Sequence, residues 1–387
     1  MYKISRNTLD LGRHLMNSRT GDLFEINELG RELLSSIKRG DLITEGETFD
    51  LMKAEGLIVD PSEQKSNEKF LLQLHLLNSC NLQCRHCYDW KDPVQSLTYE
   101  QQLMVIDNFS AFLMKMEMDG EISFTGGEPL LYKKLADLLD YTKDQDVFIK
   151  PYILTNGTVT PGDDLLKCFV RHQAGIQISI DGNEKIHDEI RGPGNYQKSI
   201  QGIKNYLASG LEVSVHYVIM RRNIDAIPEF VQAMEDLGIK RVNFSRLTPI
   251  GPGSQEEMLN PTENRDIIKS IASLQKGRAV NLMSTRPLWY SVGSSGFCPV
   301  GYNTITIDPA GKFTPCRRLP IILGDARYDS FFKAWFGSEF LQKMRKREDC
   351  VEVCGTCQHA NVCGGCRAIA NAVSGNPFSA DPGCWIC

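Results

Sequence analysis

The placement of its cysteines constrains this chain more than any other feature. Thirteen occur in 387 residues; three fall within Cys80-Asn81-Leu82-Gln83-Cys84-Arg85-His86-Cys87, and nine lie between Cys298 and Cys387. The first residues, Met1-Tyr2-Lys3-Ile4-Ser5-Arg6, run into polar Asn7 and Asp10 rather than an apolar export segment, so a cytoplasmic location is expected. A reducing compartment disfavours disulfides, and clustered thiols then read as metal or cluster ligands. Lys and Arg number 43 against 48 Asp and Glu, a balance that argues against a nucleic-acid partner, because such proteins carry a basic surplus. No run reaches the roughly eighteen apolar residues of a membrane span, so no membrane partner is expected either.

The length suggests two to three domains. Residues 1–60 read as a compact block with a polar start. In it Asn27 caps a helix carrying Leu29, Leu33, Leu34 and Ile37 at helical spacing, which stops at Gly40. A second helix through Phe49, Leu51 and Met52 ends near Gly56, and Leu57-Ile58-Val59 reads as a strand. Residues 61–69 are polar and featureless, a linker. From 70 to 250 short apolar runs alternate with amphipathic stretches, the pattern of repeated βα units and a parallel sheet. Six strands are expected near Phe70–Leu77, Glu121–Thr125, Phe148–Thr155, Gly175–Ile180, Glu212–Met220 and Arg241–Leu247, and Thr98 with Gln101 forms a capping box ahead of the first intervening helix. A mostly helical connector over 251–297 leads to the cysteine-rich tail, 298–387.

The triplet Cys80, Cys84 and Cys87 directly follows the first of these strands. Three thiolates so close can hold three corners of a four-iron, four-sulfur cluster and leave the fourth iron open. The competing reading is a zinc site that borrows His86. The second strand ends in Gly126-Gly127-Glu128-Pro129, where glycines allow close backbone approach to a ligand and a carboxylate beside free carbonyls suits an ammonium group; an ordinary turn is the plainer alternative. The third ends in Thr155-Asn156-Gly157 and the fourth in Ser179-Ile180-Asp181-Gly182, with Arg191 following. An Asp-Gly turn and a helix-entry salt bridge would explain Asp181 and Arg191 without any ligand.

The triplet and the strand ends after it resemble the radical S-adenosylmethionine enzymes. The resemblance implies an α/β fold, a partial (β/α)6 barrel, with S-adenosylmethionine and a cluster at the carboxyl ends of its strands. It makes Cys80, Cys84 and Cys87 the cluster ligands and the Gly126–Pro129 turn the holder of the methionine amino group. Asn156, Ser179, Asp181 and Arg191 become cofactor-binding candidates, and His86 takes the place of an aromatic residue near the adenine. The implied chemistry is one-electron cleavage of the sulfonium to a 5'-deoxyadenosyl radical that removes a hydrogen atom from substrate, the protein orienting the cofactors and excluding water. No general base is assignable: His216, Tyr217 and Arg246 sit on late strands, and alternation alone does not say which face inward.

In the tail, Cys298, Gly311 and Cys316 are followed by Cys354-Gly355-Thr356-Cys357, Cys363-Gly364-Gly365-Cys366 and Cys384. This resembles the SPASM extension of the same enzymes, which holds two auxiliary clusters, with a Cys-x2-Cys step at Cys363 and Cys366 where many members have Cys-x3-Cys. By analogy Cys298, Cys316 and Cys366 serve one cluster and Cys354, Cys357, Cys363 and Cys384 the other, with Cys350 and Cys387 as spare ligands, giving three 4Fe-4S clusters in all. Read without the triplet, the paired Cys-x2-Cys steps suit a zinc knuckle equally. Cys168, alone on an amphipathic helix, reads as a small core residue.

Residues 1–60 resemble the small winged-helix peptide-recognition domain of many peptide maturases, which completes the expected architecture: a winged-helix-like α+β domain, the barrel, and a cluster-binding domain. The resemblance implies a precursor peptide whose leader adds as a strand to an exposed sheet edge, with a flavodoxin or ferredoxin as reductant and a thioether or carbon-carbon crosslink as product. The tail also resembles haem-pathway enzymes that modify or decarboxylate tetrapyrrole propionates. A non-catalytic zinc or electron-transfer protein is the third class, and it would need neither the Gly-Gly-Glu-Pro turn nor an open-site triplet.

Overall fold

The computed structural model describes every residue except 1, 6–7, 11, 18–21, 42, 44–45, 61–68, 89–94, 283, 285, 294–297, 347–351, 361–362 and 387. The expected linker therefore lies outside the described residues, apart from Lys69, which begins a strand.

The N-terminal block holds more strand than its polar start announces. β1 (Lys3–Ile4), β2 (Thr8–Asp10), β3 (His14–Asn17) and β4 (Leu23–Glu25) precede α1 (Glu28–Arg39), α2 (Glu47–Ala54) and β5 (Ile58–Val59). β2, β3 and β4 form an antiparallel sheet in that order, and β1 pairs with β5. The short strands escape a periodicity search because each spans two to four residues. α1 begins and ends where its residues dictate. The Asn27 side chain accepts from Gly30 N at 2.9 Å, and Gly40 closes the helix at a φ of 78°, where a side chain would be strained. Leu15, Leu34, Ile37, Phe49, Met52, Leu57 and Ile58 make a separate small core.

The barrel follows the βα alternation. β6 (Lys69–His75), β7 (Asp119–Thr125), β8 (Ile149–Thr155), β9 (Gly175–Ser179), β10 (Val213–Ile219) and β11 (Val242–Arg246) pair in parallel, each with its successor. Between them run α3 (Tyr99–Met116), α4 (Leu135–Lys143), α5 (Asp163–Arg171), α6 (Glu184–Arg191), α7 (Asn195–Ala208) and α8 (Ile227–Asp236), and α9 (Pro261–Leu274) follows. The Thr98–Gln101 capping box is present, with bonds of 3.0 and 3.3 Å. Buried Leu72, Leu74, Ile122, Phe124, Ile153, Ile176, Ile178 and Val215 pack the sheet against the helices.

The tail does not stand apart from the barrel. β12 (Thr304–Ile307) pairs in parallel with β6, and β13 (Lys312–Thr314) and β14 (Gly324–Asp325) continue antiparallel, making one sheet of nine strands. All four residues of β12 are buried. α10 (Phe331–Phe336) and α11 (Glu339–Arg345) then pack over the joint, with Trp335 4.7 Å from Phe70 and Phe331 5.3 Å from Phe109, ring to ring. No helix among the described residues is long and apolar enough to cross a membrane.

Candidate active site and cluster-binding cysteines

A cavity of about 790 Å³ opens at the carboxyl ends of the barrel strands, where α/β folds bind ligands. Its walls include Cys80, Cys84, Cys87, Gly126, Asn156 and Ser179. The reason for the paired glycines differs from the sequence expectation. A Cβ on Gly126 would lie 2.4 Å from Leu77 O, and one on Gly127 2.1 Å from Ser79 O. What approaches these glycines is the backbone leading into the cysteine loop, to which Gly127 N and Glu128 N also bond at 2.8 and 2.9 Å. The turn thus clamps the loop as well as lining the cavity.

Glu128 is held by the neighbouring strand turn. Its fully buried carboxylate accepts from Thr155 Oγ1 at 2.6 Å, Asn156 N at 2.9 Å and Leu130 N at 3.2 Å. Burial pushes its pKa up while these donors oppose the rise. Neither Glu128 nor Pro129, which opens a 3-10 turn, is among the cavity-lining residues. A carboxylate so engaged is a strut between the β7 and β8 turns. Asn156 extends the strut, donating to Asn81 Oδ1 at 2.9 Å and facing Cys80 Sγ at 4.0 Å.

Asp181 and Arg191 form a buried pair at 2.6 Å, with side chains 0% and 8% exposed. His86 Nε2 lies 3.2 Å from the same carboxylate and 3.3 Å from Arg191 Nη2, and Arg191 Nη1 lies 3.8 Å from Cys84 Sγ. Although burial opposes it, Arg191 with His86 holds Asp181 far below the usual carboxylate range. Asp181 does not itself line the cavity, whereas Arg191 and His86 do. His86 is therefore positioned through its ring nitrogen by Asp181.

The thiols suit iron-sulfur clusters better than single ions. Sulfurs sharing one tetrahedral zinc at 2.3 Å would lie about 3.8 Å apart. Among the described residues the one group of three ligand atoms within 4.8 Å of one another is Asp140, Cys168 and His172, on the outer helices. Cys168 is 2% exposed there, as a core residue would be. The N–H groups of Leu82, His359 and Ile386 point at Cys80, Cys357 and Cys384, at 3.4, 3.5 and 3.5 Å. Arg367 points at Cys354, at 3.7 Å. Such donors stabilise electron-rich sulfur and tune cluster potentials. The tail cysteines fall into two sets. Cys298, whose thiol burial pushes up to about 11, lies near the Cys366 and Cys316 thiols and the Arg286 cation, while Cys354, Cys357, Cys363 and Cys384 line one small cavity. Cys350 and Cys387 lie outside the described residues.

Several residues at the site were not anticipated. Gln177, Ser245, Thr248, Arg317 and Arg318 line the cavity, as do His216 and Arg246, whose facing the sequence left open; Tyr217 instead is buried in the core, its hydroxyl on Asn223 O at 2.7 Å. Burial and the cations Arg317 and Arg286 hold His216 well below the usual imidazole range. Arg246 pairs with Asp381 at 2.9 and 2.6 Å, tying β11 to the tail. Leu288 takes a left-handed backbone (φ 80°) that directs its N–H at Cys363 Sγ, 3.2 Å away. Adjacency to Cys316 was the one sequence signal for the two arginines, and for Leu288 there was none.

Comparison with known proteins agrees with this geometry. The chain matches the Radical SAM superfamily over residues 74–234 and the SPASM iron-sulfur cluster-binding domain over 298–358. It is 26% identical over 345 residues to an AdoMet-dependent heme synthase of Methanosarcina barkeri, spanning 82% of this chain and 97% of that protein. It is also 26% identical over 338 residues to a PqqA peptide cyclase of Granulibacter bethesdensis, spanning 81% and 87%. The crystal structure of Streptococcus suis SuiB bound to S-adenosylmethionine superposes with a TM-score of 0.68 at 15% identity, covering 99% of this chain and all of that one. With its cysteine loop, glycine clamp and cysteine-rich tail so arranged, the chain belongs to the radical S-adenosylmethionine superfamily and carries a SPASM domain.

Proposed function

We propose that this protein matures a ribosomally synthesised peptide, forming a thioether or carbon-carbon crosslink after hydrogen abstraction by a 5'-deoxyadenosyl radical. Cys80, Cys84 and Cys87 would hold the cluster that cleaves S-adenosylmethionine. Cys298, Cys316 and Cys366, and separately Cys354, Cys357, Cys363 and Cys384, would hold two auxiliary 4Fe-4S clusters, with a flavodoxin or ferredoxin as reductant. The glycine clamp, the Glu128 strut and the Asp181–Arg191 pair keep the cofactor-facing groups in place.

The observation that carries the reading is the N-terminal unit. Its three-stranded sheet ends at β4, whose outer edge has no strand partner among the described residues. Leu23 on that edge and Leu29 at the start of α1 are 53% and 63% exposed. A leader segment adding as a strand would satisfy the edge's backbone groups and cover these side chains. SuiB, also solved with its precursor peptide SuiA, aligns over 100% of this chain at a TM-score of 0.66. Modification of tetrapyrrole propionates is the second reading, favoured by the heme synthases among the relatives.

The test is anaerobic reconstitution with S-adenosylmethionine and reductant, offering short peptides encoded beside the gene and, separately, iron-coproporphyrin. A peptide product lighter by two hydrogens, with 5'-deoxyadenosine released in step, is expected. Leu23→Lys/Leu29→Lys should raise KM for the leader-bearing peptide at least about tenfold, the scale of losing one or two buried leucines. About twelve irons per chain, falling to about eight in a Cys80→Ala/Cys84→Ala/Cys87→Ala variant, would accompany activity. Turnover of the tetrapyrrole alone would transfer the assignment to the second reading. One zinc, little iron and no nucleoside would end both.

A further inference from the structure

The cavity wall has a charge imbalance. Among the described residues no Asp or Glu side chain lines it, yet Arg191, Arg246, Arg317 and Arg318 all do. Two of these are neutralised behind the wall: Arg191 by Asp181 and Arg246 by Asp381. Arg318 is held by Arg246 O and Thr248 Oγ1 at 3.4 and 3.3 Å and sits by the Cys316 thiol, so it serves the cluster side. Arg317 is different. It is half-buried, stacks 5.2 Å from the Tyr88 ring centroid, and has no carboxylate partner among the described residues. His216 shares this wall, its buried Nε2 without a partner. Gln177 does too, its Oε1 facing Asn243 Nδ2 at 3.4 Å so that its own amide N–H groups stay free to donate.

A half-buried guanidinium with neutral donors on the same wall and no carboxylate partner among the described residues favours an incoming anion. One fork-shaped cation matches the single charge and two oxygens of a carboxylate, whereas a dianionic phosphate would leave charge uncompensated. We propose that Arg317, with His216 and Gln177, forms a subsite that takes a carboxylate of the substrate beside the auxiliary cysteines. The inference rests on the reading above only in placing the substrate in this cavity; an acidic peptide side chain and a tetrapyrrole propionate both supply the group.

The test measures equilibrium binding to the reconstituted protein at saturating S-adenosylmethionine. One pair of probes is a fluorescein-labelled glutamate-containing hexapeptide and its glutamine counterpart. The other is iron-coproporphyrin III and its methyl ester, followed by absorbance. The carboxylate form of at least one pair should bind about 10- to 100-fold more tightly, the scale of a hydrogen-bonded charge pair. Arg317→Ala should abolish that preference and Arg317→Lys restore part of it, with circular dichroism confirming that both fold. Which pair shows the preference identifies the source of the carboxylate. Equal binding of charged and neutral forms, failure of both pairs to bind, or a preference that survives Arg317→Ala overturns the subsite. So does a shift of the loss from the probes to S-adenosylmethionine, which would assign Arg317 to the cofactor's own carboxylate. A preference seen only with the tetrapyrrole keeps the subsite and removes the peptide reading, so the two can fail separately.

Discussion

Replacing Asp381 with Asn leaves Arg246 as a buried cation without its partner. The pair is bidentate, 0% and 9% exposed, and the same carboxylate accepts from Cys366 N at 2.7 Å and Gly383 N at 2.9 Å. Despite burial, Arg246 and these donors hold the Asp381 pKa at about 2, against an ordinary 3.8. That depression alone corresponds to about 2 to 3 kcal/mol. Stranding one member of a buried pair costs about 3 to 5 kcal/mol because the desolvated charge stays behind. The second effect includes the first, so a loss of about 3 kcal/mol is expected in Asp381→Asn. Adding Arg246→Met removes the stranded charge, and the double variant should recover about 1 to 2 kcal/mol of it. The assay is anaerobic urea unfolding of the reconstituted protein, followed by circular dichroism. The sign with pH is set by a depressed carboxylate: its contribution is complete above about pH 4 and disappears as pH falls towards 2, so the gap between wild type and Asp381→Asn should close over that window. Strictly additive single and double variants, or a single-variant loss below about 1 kcal/mol, would refute the claim that this pair locks the tail to the barrel.

The glycine clamp predicts that Gly127→Ala, whose Cβ would meet Ser79 O at 2.1 Å, displaces the cysteine loop. Iron analysis should show about a third of the iron lost, with the tail clusters retained and 5'-deoxyadenosine release abolished. His187 is fully buried, its Nδ1 accepts from Asp181 N at 3.3 Å, and burial holds its pKa at about 4. Its neutral form is the folded form, so it contributes full stability above about pH 6.5, and about 3 kcal/mol of this is lost as pH falls to 4. In His187→Asn that share of the acid-side loss should vanish from urea midpoints measured across the window.

Much of the barrel could be read from residues in a row. The ends of β6 to β11 fall within two residues of expectation because each strand is a short buried run between amphipathic helices, the first of them opened by the Thr98–Gln101 capping box. The cysteine loop was legible for the same reason: its three thiols are neighbours in sequence, and their chemistry depends on spacing. The same holds for Asn27 and Gly40, whose capping bonds close within three or four residues.

Long-range closure decided the rest. β12 is four residues long and becomes a strand because β6 offers an unpaired edge more than two hundred residues earlier, which local propensity does not encode. That Thr155 and Asn156 would arrive from the next strand to hold Glu128 is a long-range contact, and Gly126 and Gly127 proved to be shaped by Leu77 and Ser79. The charge of the cavity wall is likewise a tertiary property: Arg191 and Arg246 are neutralised by residues on other elements, whereas Arg317 has no carboxylate partner among the described residues. Local sequence determines which groups are present and which elements hold them; which of those groups remains free to meet a ligand depends on the partners that folding brings across the barrel mouth.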